Sequence, residues 1–267
     1  MKLGVSYNIF DGEELLESSI KSVRDSVDFI SVVYQIESNF GNPCNERLVP
    51  LLEKLKNNGL IDELFMYKPN VKHGGHRNEI TKRNIGLSLS EGVGCTHHMS
   101  MDSDEYYIKN ELDRLKLEII NGDYDSSFCK MRTYFKDPTY EIRPMNEYYV
   151  SLIFKISPNN EFIFGSPSPV LVDPTRRMNS LKPLILERNK MEMYHMSYVR
   201  RDIKSKLTNS SSKGAFKDVD GFLRMFNDYK LGETFFTTHP PGDETTVLVE
   251  NKFNITIWKP VYIPPYS

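Results

Sequence analysis

Two carboxylates, Asp102 and Asp104, stand one residue apart directly after an apolar run that ends at Met101. Hard oxygen ligands in that spacing suit Mg²⁺ or Mn²⁺, ions that keep phosphate oxygens in their shell. The alternative is a solvated acidic turn in front of a helix. His195, in Met193-Tyr194-His195-Met196-Ser197-Tyr198, precedes Arg200, Arg201, Lys204 and Lys206. Such a basic segment can neutralise a leaving diphosphate, or serve only as a solvated helix face. Arg83 and Asn84 lie on the helix before the acidic pair.

These groups need a scaffold that brings them together. In the first hundred residues strand-like runs (3–8, 29–36, 61–67, 95–101) alternate with helix-like ones. Leu16, Ile20, Val23 and Val27 share one helical face, and Asp11 with Glu14 has capping-box spacing. Ile108, Leu112, Leu115 and Ile119 mark a helix that Asn121-Gly122 should end. The alternation predicts an α/β fold: a mostly parallel sheet with helices on both faces. In open α/β sheets ligands bind beyond the carboxyl ends of the strands, and residues 7–11, 35–38 and 102–105 fall there.

The second half reads differently. Segments 126–134, 148–156, 162–164, 170–172, 193–199 and 245–258 look like strands without full helices between them, and 218–229 like a short helix. The Pro-rich stretch from Pro260 reads as an exposed strap.

The 267 residues suit one α/β domain with C-terminal additions. With 34 basic against 36 acidic residues, bulk charge does not point to nucleic acid. Cys44, Cys95 and Cys129 are too scattered for a disulfide framework or a thiolate zinc site. No leader-like segment and no apolar run of membrane-spanning length stands out, so the expected location is the cytoplasm.

The order of a strand ending in Tyr7-Asn8, a second ending in polar residues, Arg83-Asn84-Ile85-Gly86, and then Asp102-Ser103-Asp104 resembles the nucleotide-sugar-binding half of GT-A glycosyltransferases of the inverting family 2 type. Asp102-Ser103-Asp104-Glu105-Tyr106 and the His195-Met196-Ser197 run are similar to segments of the family 17 N-acetylglucosaminyltransferases. The resemblance implies a GT-A (Rossmann-like) fold over the single domain 1–267. Residues 1–135 would bind a nucleoside-diphosphate sugar, and 136–267 would face a glycan or other hydroxyl acceptor. It implies Asp102, Asp104 and His195 around one Mn²⁺ or Mg²⁺. The donor would contact Tyr7, Asn8, Asp11, Glu37, Arg83, Asp102, Ser103, Lys204 and Lys206. Family 2 enzymes commonly carry an Asp at the second strand end; here the stretch is Tyr34-Gln35-Ile36-Glu37-Ser38.

An inverting transfer needs a carboxylate as general base, and Asp173, Glu147 and Glu161 are the candidates from the second half. Two other readings stand beside this one. A sugar nucleotidyltransferase would carry a Gly-rich basic loop after the first strand, where this chain has Tyr7-Asn8-Ile9-Phe10-Asp11-Gly12-Glu13-Glu14. A non-catalytic glycan- or partner-binding member would have no need of Asp102, Asp104 and His195.

Overall fold

The structure, a computed structural model, describes residues 1–158, 160–210, 213–215, 218–235 and 244–257. Its first half follows the expected alternation: β1 (Leu3–Ile9), α1 (Glu13–Val23), β2 (Phe29–Tyr34), α2 (Leu48–Asn57), β3 (Glu63–Met66), α3 (Gly75–Gly92) and β4 (His97–Asp102). The two-residue strand β5 (Glu105–Tyr106) and α4 (Lys109–Gly122) follow. Then come β6 (Ser126–Phe135), β7 (Tyr140–Arg143), β8 (Tyr149–Lys155), β9 (Pro183–Ile185), β10 (Glu192–Tyr198), α5 (Ile203–Asn209), α6 (Val219–Asp228) and β11 (Thr245–Leu248).

The sheet order is β11-β7-β6-β8-β4-β1-β2-β3, with β10 beside β5 and β6 and β9 beside β6. Strands β3, β2, β1 and β4 run parallel, and β8 joins β4 antiparallel. The architecture is thus α/β with a mostly parallel centre.

Strand alternation explains both faces. Leu3, Val5, Tyr7 and Ile9 of β1 enter the main apolar core with Leu16 and Ile20 of α1, Leu52 of α2 and Leu112 of α4. Gly4, Ser6 and Asn8 face the other way, toward α3. Small residues are required there: a Cβ at Gly86 would stand 2.1 Å from Ser6 Oγ, and one at Gly4 2.4 Å from Ser90 Oγ. Parallel register places Gly4 beside His98, Ser6 beside Ser100 and Asn8 beside Asp102. The α3 face of the centre is therefore a polar stripe that ends at Asn8 and Asp102. A separate aromatic cluster around Phe135 joins α5 and α6 to the far end of β6.

Several expectations need correction. Asp11 does not cap α1; Gly12 occupies that position at φ +74°, without a side-chain cap. Its Glu13 and Glu14 favour the positive helix terminus instead. Helix α4 runs through Gly122, and Asp123 takes the left-handed turn. Segments 162–164 and 170–172 form no strands, because Phe162 and Val172 instead pack into an apolar cluster with Leu87 and Phe154. Val172 keeps one bridge to Tyr149. The strand expected over 245–258 stops at Leu248. The basic segment after His195 contains a helix, α5, which Asp202 caps through Ser205 N. Trp258 and the strap from Pro260 lie outside the described residues. No helix among the described residues is long and apolar enough to cross a membrane.

Candidate functional site

The carboxyl ends of β1 and β4 carry a dense charge cluster. Asp102 ends β4 with a side chain 36% exposed. Its Oδ2 accepts from Arg176 Nη2 at 2.6 Å, and Arg83 Nη2 lies 3.5 Å from both its oxygens. Arg83 reaches there from α3 and is steadied by Ser100 Oγ at 2.7 Å. Asp104 is buried, and its Oδ2 accepts from Arg200 Nη2 at 2.5 Å and Lys206 Nζ at 3.0 Å. His195 Nε2 stands 3.6 Å from the same oxygen. Buried Glu105 is paired through both oxygens with Arg176.

Burial opposes ionisation of Asp102 and Asp104, yet neighbouring cations win in both cases. Arg176 and Arg83 hold the Asp102 carboxyl below the usual range, and Lys206 and Arg200 do so for Asp104. For Glu105 burial dominates and raises the carboxyl despite Arg176. Burial lowers Lys206 in the same way, against the pull of Asp104.

The turn after β1 completes the cluster. Arg200 Nη1 lies 3.8 Å from Asp11 Oδ1. It packs so closely on Gly12 that a Cβ there would fall 1.3 Å from it. Ser103 Oγ donates to the Asp11 carbonyl at 3.3 Å. Several buried polar atoms at this end have no hydrogen-bond partner among the described residues: both amide atoms of Asn8, Arg83 Nε and Arg200 Nη1. Groups of this kind are costly to leave unpaired.

Of the expected donor contacts, Asn8, Asp11, Arg83, Asp102, Ser103 and Lys206 converge here. Tyr7 does not. It is fully buried on the core face, with its hydroxyl 3.2 Å from Ser19 Oγ, because its parity is that of Leu3 and Val5. Lys204 points to solvent on α5 and makes no contact with the cluster. Glu37 lies in the loop after β2, bridged through its backbone to Pro43. Gln35 braces that loop, donating to the Glu37 carbonyl at 3.2 Å and to Asn39 Oδ1 at 3.0 Å.

Asp173 caps the short turn that carries Arg176. Its Oδ1 accepts from Thr175 N at 2.7 Å and from Thr175 Oγ1 at 2.8 Å. Its charge is felt by both Arg176 and Tyr148. Glu147 is held at the surface by Lys130 and Arg188, and Glu161 is exposed beside buried Phe162. Arg176 had no place among the expected site residues; Arg200 was expected only as one of four basic residues after His195, and Glu105 only as part of the strand-end stretch 102–105. The only local signal for Arg176 is the Asp173-Pro174-Thr175 turn, which says that a turn forms but not where its arginine reaches.

The expected cation site does not fit this arrangement. Asp104 and His195 do approach each other, but Arg200 and Lys206 already meet on Asp104 Oδ2, and Arg176 on Asp102 Oδ2. Among the described residues no three His, Cys, Asp or Glu side chains are grouped to hold a metal ion.

No family model matches the chain, and no curated protein matches it. Solved structures do. TarS 1–349 of S. aureus in complex with UDP aligns at a TM-score of 0.51 and 14% identity, over 86% of this chain and 73% of that one. TarS of S. aureus aligns at 0.49 and 15%, over 86% and 44%, so this chain spans less than half of its length. GalNAc-T7 with UDP, GalNAc and Mn²⁺ aligns at 0.40 and 13%, over 71% and 30%. The fold is similar to that of TarS 1–349: α/β, with a mostly parallel central sheet flanked by helices.

Proposed function

We propose that the protein is a glycosyltransferase that moves a sugar of hexosyl or N-acetylhexosaminyl type from a nucleoside diphosphate to a glycan or other hydroxyl acceptor. The observation that carries this reading is the unpaired amide of Asn8 beside Asp102 at the carboxyl ends of β1 and β4, in a GT-A fold. That end of an α/β sheet is where nucleotides bind. The UDP named with TarS and with GalNAc-T7 agrees in chemistry with such a donor.

In this reading Asn8 and Arg83 bind the nucleotide and Asp102 orients it. Asp102 is itself held in place by Arg176. The transfer is inverting, with Asp173 taking the proton of the acceptor hydroxyl. Of the three carboxylates considered, Asp173 alone sits on the turn that carries Arg176 to Asp102. Its capping role engages Oδ1, and Oδ2 remains for the acceptor.

A thermal-shift panel of UDP-, GDP- and dTDP-sugars tests the reading. A ligand at a hundred times its Kd should stabilise by about 2.7 kcal/mol, and Asn8→Ala should remove that gain. The reading fails if no nucleotide-sugar shifts the melt, or if the shift survives in Asn8→Ala.

A further inference from the structure

Arg200 and Lys206 meet on one buried oxygen of Asp104, at 2.5 and 3.0 Å, with His195 Nε2 3.6 Å away. A divalent cation at that oxygen would have to enter among three nitrogen groups, two of which carry full positive charge. Asp102 Oδ2 is likewise taken by Arg176 at 2.6 Å, with Arg83 Nη2 3.5 Å from both oxygens. The chemistry of this donor set is that of an anchored cationic pair.

The pair has capacity left over. Arg200 uses Nη2 on Asp104, while its Nη1 has no hydrogen bond among the described residues. The nearest further anion to Nη1 is Asp11, whose Oδ1 stands 3.8 Å off and whose side chain is 28% exposed. Lys206 has three donors, and among the described residues one of them is used, on Asp104. Its side chain remains 19% exposed. A guanidinium fork next to a point charge is the arrangement that binds phosphate oxygens. Fixed cations at a leaving diphosphate supply the same electrostatic stabilisation as a metal ion in that place.

Two features hold the pair in position. Gly12 leaves room for the guanidinium against the turn after β1, where any Cβ would collide with Nη1. Asp202 caps α5 through Ser205 N at 2.8 Å, which fixes the helix that presents Lys206.

We propose that Arg200 and Lys206 neutralise the diphosphate of the donor in place of a divalent cation, and that Asp104 is their anchor and not a metal ligand. This rests on the nucleoside-diphosphate-sugar reading above and names how that site handles the phosphate charge.

Titration calorimetry of the full chain with UDP, GDP and dTDP, in EDTA and then in excess Mn²⁺, tests it. One nucleotide should bind in EDTA, with an affinity that Mn²⁺ changes by less than about threefold. Lys206→Met should weaken binding in EDTA by about tenfold or more, and Arg200→Lys, which keeps the charge but loses the fork, by a similar factor. Circular dichroism checks that each variant folds. If Arg200→Lys does not, Lys206→Met decides, since it leaves the Arg200–Asp104 pair intact. Equilibrium dialysis with Mn²⁺ alone should show no binding that depends on Asp104. Nucleotide binding that appears only with Mn²⁺, Mn²⁺ binding lost in Asp104→Asn, or wild-type affinity in Lys206→Met would each overturn the proposal. If no nucleotide binds under either condition, the nucleotide-sugar reading itself falls, and this inference with it.

Discussion

Arg176 Nη2 lies 2.6 Å from Asp102 Oδ2, although the two residues are 74 positions apart in the chain. The same guanidinium pairs with buried Glu105. One arginine from the short turn after Asp173 therefore ties Asp102 and Glu105 together at the exit of β4.

Removing that arginine leaves buried Glu105 without its partner and Asp102 with Arg83 alone at 3.5 Å. Arg176→Met should cost about 3–5 kcal/mol, the range for breaking a buried ion pair from one side. Urea unfolding measures it, and Glu105→Gln in the same background should recover part of the loss. An unchanged midpoint would show that Arg176 contributes nothing to the fold.

Gly12→Ala should fail on two counts. The residue sits at φ +74°, where an L side chain costs about 1–2 kcal/mol. Its Cβ would also fall 1.3 Å from Arg200 Nη1 and push the guanidinium away. Stability and nucleotide affinity should therefore drop together in unfolding and calorimetry. Loss of stability with full affinity would separate Arg200 from the nucleotide.

Acidification should reduce stability in two stages with different origins. Burial, aided by nearby cations, pushes His97 down to about 4 and His98 to about 3. The unfolded chain takes up these protons near the ordinary value of 6.5 while the native state does not. Stability should thus fall as the pH drops below 6.5, and the loss is complete only below the native values. Asp102 and Asp104 act lower: their folded values are depressed, so their contribution is present above the unfolded carboxyl pKa of about 3.9 and is lost as the pH falls further. Melting temperatures from pH 7 to 3 check both stages. His97→Gln should flatten the first relative to wild type, and an identical pH dependence of the two proteins between pH 6.5 and 4 would contradict the assignment.

Asp173→Asn preserves the cap, because the amide oxygen still accepts from Thr175. Donor binding should stay at wild-type level while transfer falls by about two to four orders of magnitude. Equal transfer rates would remove Asp173 as the base. Loss of donor binding would make it part of the Arg176 support.

Much of the fold was legible because it rests on local periodicity. The helical spacing of Leu16, Ile20 and Val23, and separately of Leu112, Leu115 and Ile119, lies within a few residues, and the carboxyl-end location of Asn8, Asp11 and Asp102 follows from the strand positions. Tyr7 was open to the same logic: strict alternation groups it with Leu3 and Val5 on the core face. Its position at a strand end, read without its parity, placed it wrongly at the ligand. The failed strands at 162–164 and 170–172 show the limit of apolar runs, which can serve an irregular loop packed on Leu87 and Phe154 as well as a ladder.

The sequence by itself determined which residues the acidic exit holds: Asp102, Asp104 and Glu105, directly after β4. Only the tertiary structure decided what those carboxylates do. Arg176 comes to them from a turn, Arg200 from the end of β10 and Lys206 from α5, at separations of 71 to 102 residues. No period or spacing encodes such pairings. Asp104, which reads locally as a metal ligand, meets Arg200 and Lys206 on Oδ2 at 2.5 and 3.0 Å, because β10 and α5 bring both cations to the end of β4.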